Sequence, residues 1–292
     1  MTIKIITDSA CDILESDQQK FDIEIMPVYV VENETTYRDG IDISPAVVCD
    51  NMRKGVRYKT SQIPYGDFYK RFEELISANQ PFVYLAFSSG LSGTYQAAAL
   101  AERDLREKYP EAVFKVVDTR AVCYGLGHIA YGAAQAAAAG ASMDELIKRI
   151  NYYIDHVKHV FTVTDLQYLY RGGRLNKGTA IIGNMLNINP LLEVSQSGEL
   201  QQIDKVRGEK KLIKKMVDYL EVNGNQINQQ TIGISHADNL ELVELFVKMA
   251  EKRFGTDRFK IVPLGSTVLT HSGPGTLAVF FFDEWKEAFQ FE

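Results

Sequence analysis

The sequence predicts an α/β fold, with a mostly parallel sheet carrying helices on both faces in its N-terminal part and a second, α+β part after it. Three observations predict this. Short apolar runs alternate with amphipathic or alanine-rich stretches up to about residue 155, the pattern of repeated βα units. From about His159 the texture changes to short β-like runs, an arginine–glycine turn and two long amphipathic stretches. At 292 residues the chain also exceeds the usual size of one domain. The expected division is 1–158 and 159–292.

The elements follow in order. Residues 4–7 read as a first strand that stops at Asp8-Ser9, with Asp12 close behind; an acidic residue and a hydroxyl at a first strand's end either line a cleft or cap a turn. Residues 25–31 read as one second strand, and residues 37–41 as a turn. Ser44-Pro45 is an N-cap with proline at the first helical position. Residues 58–64 form a polar loop ahead of an amphipathic helix over 65–77. The apolar run 82–87 leads through Ser88-Ser89-Gly90-Leu91-Ser92-Gly93-Thr94 into an alanine-rich helix.

Residues 113–117 read as a further strand, 121–139 as an alanine-rich helix, and Ser142 with Glu145 as a capping box. Beyond His159, β-like segments at 160–164, 190–194, 200–206, 231–235 and 260–264 alternate with helices at 209–221 and 240–254. Thr270-His271-Ser272-Gly273-Pro274-Gly275-Thr276 reads as a turn, because Gly-Pro-Gly interrupts regular structure, and the apolar run 277–282 follows it.

Composition narrows the function classes. Apolar residues make up 46% and charged residues 24%, ordinary for a globular protein, and the net charge of −6 argues against a general nucleic-acid binder. The three cysteines are widely spaced and lack a CxxC pair, so neither a disulfide framework nor a zinc site is expected. The N-terminus enters a strand directly, and no run reaches the roughly 18 apolar residues of a membrane span. A cytoplasmic protein is expected.

The seven-residue loop 88–94 is the leading site candidate. Three serines, a threonine and two glycines exceed what one helix cap requires, and a strand-to-helix turn aims N–H groups at an anion. The loop is one residue short of GxSxG and lacks the Walker ending. Gly125 to Ala130 matches GxGxxA, but it is separated from the preceding strand and no clear acidic strand end follows, so a dinucleotide site is not expected. The histidines show no HExxH spacing, and no metal is expected. Thr60-Ser61 offers two hydroxyls. Arg171, Arg174 and Lys177, with Arg207 and the pair Lys210-Lys211, form basic stretches suited to an anionic partner or a membrane surface, or simply to a solvated face.

TDSACDI at the start, TSQIP at Thr60, SSGLSGTYQAA at Ser88, DTRAVCYGLG at Asp118, YRGGRLNK at Tyr170 and HSGPG at His271 occur in consistent order. Together they make the chain resemble the DegV family over nearly its full length. The resemblance implies a long-chain fatty acid held between the two domains. It implies a carboxylate bound at Thr60, Ser92 and His271, with Ser61, Gly93 and Thr94 as neighbours. It further implies presentation of that carboxylate to a separate fatty acid kinase subunit, which uses ATP to make an acyl phosphate. One departure is Ile63, inserted before the proline of the TSQP pattern. Arg171, Arg174 and Arg207 are then assigned to the kinase subunit or the phosphorylated product.

The expected protein is thus a lipid-binding and presenting module with no catalytic machinery of its own, no cofactor, transient contact with membranes and no nucleic-acid partner. Two alternatives stand beside it: an autonomous hydrolase or acyltransferase using Ser92 with His271, and a sensor of another carboxylate.

Overall fold

A computed structural model describes residues 2–175 and 188–286. The chain runs β1 (Lys4–Asp8), α1 (Glu15–Phe21), β2 (Ile23–Met26), β3 (Tyr29–Glu32), β4 (Thr35–Arg38), α2 (Pro45–Arg53), β5 (Lys59–Ser61), α3 (Tyr65–Ser77), β6 (Phe82–Ala86), α4 (Thr94–Lys108), β7 (Phe114–Asp118), α5 (Cys123–Ala138) and α6 (Met143–His156). It continues through β8 (Val157–Thr162), α7 (Gln167–Gly172), β9 (Ile188–Val194), β10 (Leu200–Arg207), α8 (Glu209–Asn223), β11 (Ile232–His236), α9 (Leu240–Phe254), β12 (Phe259–Pro263), α10 (Ser266–Ser272) and β13 (Leu277–Phe282).

The N-terminal sheet is parallel and four-stranded, in the order β2-β1-β6-β7. Every residue of β6 is buried, as its unbroken apolar run requires for a strand covered on both faces. On one face Phe68 and Phe72 of α3 pack on Phe82 and Tyr84. Helix α5 covers the other.

A second, three-stranded antiparallel sheet, β4-β3-β5, corrects three expectations, the first being the turn at 37–41: Tyr37 and Arg38 end β4 and pair with Val30 and Tyr29. Residues 25–31 are two strands in different sheets: Pro27 lacks an N–H and fixes its own φ, so the ladder of β2 ends at Met26 and pairing resumes at Tyr29. Residues 59–61, expected in a loop, pair with Val31 to Tyr29. Three polar residues carry no alternation from which a strand can be read.

The C-terminal sheet is six-stranded and mixed, in the order β10-β9-β8-β13-β11-β12. Helices α8 and α9 bury Ile213, Met216 and Phe246 on one face. Helix α5 lies on the other, so it is sandwiched between the two large sheets and buried along nearly its whole length. Its glycines explain the GxGxxA match. A Cβ on Gly125 would lie 2.2 Å from His159 Nε2, and one on Gly127 2.7 Å from the Cys11 carbonyl. These glycines let a helix approach its neighbours closely.

The Ser44 and Ser142 caps form as the sequence predicts, the latter as a full capping box with Glu145. His271 lies on the last turn of α10 rather than in a turn; Gly273 and Gly275, at φ +84° and +83°, end the helix behind it. The expected division after residue 158 falls inside β8.

Candidate ligand-binding cavity

A cavity of about 420 Å³ lies between the parallel sheet and the mixed sheet, within the roughly 300–1,000 Å³ range of ligand pockets. Its floor is built by alternation. Thr276, Ala278 and Phe280 face it from β13 and its approach, and His159 and Phe161 from β8, because every second side chain of a strand points to one face. Phe87, Leu91, Val122 and Cys123 close it from the N-terminal side, where strands β6 and β7 deliver their following loops.

One end of the cavity is polar. Thr60 comes from β5, Ser92, Gly93 and Thr94 from the start of α4, and His271 from α10. Thr60 Oγ1 lies 2.7 Å from His271 Nε2, a hydrogen bond across 211 positions of sequence. Ser92 Oγ lies 2.9 Å from Thr94 Oγ1 and accepts from the Thr94 N–H at 3.2 Å. The N-terminus of the long helix α4 adds the partial positive charge of its first-turn N–H groups. Close packing is built in: a Cβ on Gly93 would lie 1.9 Å from Gln62 Oε1, and one on Gly172 2.4 Å from His271 Nδ1.

Arg174 also reaches the cavity. Its Nε donates to the Leu91 carbonyl at 3.1 Å and its Nη1 to the Gly172 carbonyl at 2.5 Å, tying the segment after α7 to the 88–94 loop. Burial lowers the Arg174 pKa from its usual value. Burial, followed by the nearby Arg174 charge, pushes His271 down to about 4, so its imidazole is neutral at pH 7. Hydroxyl donors, a helix N-terminus and one guanidinium around an apolar cavity suit an amphiphile with a single anionic end.

The structure therefore gathers Thr60, Ser61, Ser92, Gly93, Thr94 and His271 at one end of one cavity, and adds Arg174. Arg171 and Arg207 lie elsewhere. Arg171 is exposed, stacks over Tyr168 and donates to the Gln167 carbonyl, whereas Arg207 is exposed at the end of β10. Lys177 lies outside the described residues. Ser88 and Ser89 hold the loop in place, on the Gly198 carbonyl and the Asp118 carboxylate respectively. Asp8 caps the turn after β1: fully buried, it accepts from the Phe87 N–H, the Ala10 N–H and the Tyr84 hydroxyl, and burial raises its pKa to about 6, while Ser9 and Asp12 line a separate pocket of about 340 Å³.

His271 Nε2 pairs with Thr60 and Ser92 Oγ with Thr94, and among the described residues no hydrogen bond joins Ser92 to His271. Sequence reasoning missed His159 and Cys123 as lining residues. The uniformly apolar run 277–282 gave no alternation to show which side chains face the cavity. Among the described residues there is no cluster of metal-ligating side chains, and no helix is long and apolar enough to cross a membrane.

Fold and site together define a protein of two packed sheets enclosing a largely apolar cavity with a hydroxyl-rich polar end. The chain belongs to the DegV family: the family model, described as an uncharacterised protein of the DegV family, matches residues 2–284. A DegV domain-containing protein of Clostridium perfringens is 39% identical over 97% of this chain and 98% of its own. Among solved structures, a Thermotoga maritima protein reported to reveal a fatty acid binding function is 30% identical, with a TM-score of 0.80 over 97% of this chain and 99% of its own. A fatty-acid-binding DegV family protein from Thermus thermophilus is 25% identical, with a TM-score of 0.85 over 96% of this chain and 99% of its own.

Proposed function

We propose that this protein binds a long-chain fatty acid, with the carboxylate at the polar end of the cavity and the acyl chain along the β13 floor. The observation that carries the reading is the coincidence, in one cavity, of an apolar floor and the Thr60, Ser61, Ser92, Gly93, Thr94 and His271 cluster. When Nε2 of His271 carries the ring hydrogen, it donates a hydrogen bond to Thr60 Oγ1, and the threonine hydroxyl hydrogen is left to donate to the carboxylate. Ser92 and the start of α4 supply further donors, and Arg174 the compensating charge. Each buried CH₂ contributes about 0.8 kcal/mol, so the chain rather than the head group supplies most of the affinity.

The units 1–158 and 159–292 act in this reading as the two walls of the cavity. The protein presents its ligand to a separate ATP-using kinase subunit, with transient contact at a membrane surface to exchange lipid. Exposed Arg171 and Arg207 serve partner or phosphate contacts. Native mass spectrometry of protein purified without added lipid tests the binding. Co-purified acids of roughly 14–18 carbons, sized to a cavity in the usual ligand-pocket range, are expected. A consistently empty protein that also resists loading overturns the reading. With a kinase subunit supplied, Ser92→Ala is expected to reduce acyl-phosphate formation; ester hydrolysis by the isolated protein, abolished by the same change, would instead favour the hydrolase.

A further inference from the structure

The floor of the cavity has a definite end. Thr276, Ala278 and Phe280 line it, but Phe282, next on the same face of β13, packs against His128, Tyr153 and Trp285 in the core. Phe280 is therefore the last residue of β13 on this floor. At that depth His159 on β8 is the register partner of Phe280, and the two rings meet edge to face with centroids 5.4 Å apart.

The imidazole is held there from several sides. Its Nε2 accepts from the Val122 N–H at 3.3 Å, just ahead of α5, and Gly125 makes room for the ring where a Cβ would lie 2.2 Å from Nε2. His159 is only 4% exposed, and burial keeps the ring neutral. It also lines a second, separate pocket of about 170 Å³, where Ile154, Val157 and Val194 stand beside the polar Lys158, Ser195 and Gln196 and the Arg120–Asp155 pair at 2.9 Å. One residue thus borders both spaces.

We propose that His159 is the end-stop of the acyl cavity, a ring that separates the deep end from the neighbouring pocket and so limits the length of chain accepted. This rests on the fatty-acid reading above. The mechanism is steric: a chain longer than the floor meets the ring, and the ring cannot swing aside without losing the Val122 hydrogen bond. Smaller residues at 159 join the two spaces, and an aromatic ring of similar size keeps them apart.

The test is the affinity of delipidated protein for a homologous series of saturated acids, measured on the wild type, His159→Ala, His159→Asn and His159→Phe. Asparagine keeps an acceptor for Val122 and guards against misfolding of the alanine variant. In wild type, affinity should rise about fourfold per added CH₂ and then stop rising once the floor is filled. In His159→Ala and His159→Asn the rise should continue for further carbons, whereas His159→Phe should stop where wild type does. An unchanged stopping length in a folded Ala or Asn variant overturns the end-stop, as does a shift in His159→Phe equal to theirs. Failure of the wild type to bind any acid overturns the fatty-acid reading instead.

Discussion

Thr60→Val keeps the shape of the side chain and removes only its hydroxyl. In the folded protein that hydroxyl is the partner of His271 Nε2 at 2.7 Å, and the imidazole is mostly buried. A buried polar group left without its partner costs about 1–3 kcal/mol. At about 2–4 °C per kcal/mol for domains somewhat smaller than this chain, the delipidated variant should melt roughly 2–12 °C below wild type. Binding should suffer separately, because a hydrogen bond to a charged group contributes about 1.5–3 kcal/mol, or roughly 10- to 150-fold in affinity. Scanning calorimetry of the delipidated protein and titration with a fatty acid measure the two effects, and Thr60→Ser should recover most of both. A Thr60→Val protein that melts and binds like wild type refutes the whole argument. A lowered melting temperature with unchanged affinity refutes only the assignment of Thr60 to the carboxylate.

Two further predictions concern stability. Gly198, at φ +79°, lies in the β9–β10 turn, where a Cβ would sit 2.1 Å from Ser88 Oγ and 3.1 Å from Arg120 Cα. Gly198→Ala should therefore lower unfolding free energy by about 1–3 kcal/mol, and an unchanged urea midpoint would show that this turn does not brace the 88–94 loop. His159 has a folded pKa of about 3, chiefly through burial, against about 6.5 unfolded, so below pH 6.5 the unfolded chain binds the extra proton. Its contribution is fully present above pH 6.5 and is lost as pH falls towards 3. Urea midpoints should accordingly fall less between pH 7 and pH 5 in His159→Phe than in wild type; parallel pH profiles would count against a neutral buried imidazole.

Much of the architecture was legible in the sequence because it rests on local pattern. The unbroken apolar run 82–87 could only be a central strand, the Ser142–Glu145 box starts its helix where spacing put it, and the amphipathic stretches 65–77 and 240–254 are helices with those bounds. The residues of the polar end were legible as a group too, since hydroxyls and glycines cluster at one strand-to-helix turn of the sequence. Pairing between polar strands was not: β5 exists only because β3 lies beside it, and Pro27 divides one apolar run between two sheets.

What only the tertiary structure decided is which side chains meet. No sequence spacing relates Thr60 to His271, and nothing in the run 277–282 distinguishes Ala278 and Phe280, which face the cavity, from Val279 and Phe281, which face the α8–α9 core. The basic residues were separated in the same way. Arg174 was drawn to the polar end by the carbonyls of Leu91 and Gly172, while Arg171 and Arg207 stayed in solvent. Sequence determined the elements and the chemistry available, because backbone propensity and side-chain type are local properties. The cavity, its polar mouth and its far wall arise where the two sheets close on α5, and that contact between distant segments is written in no single stretch of the chain.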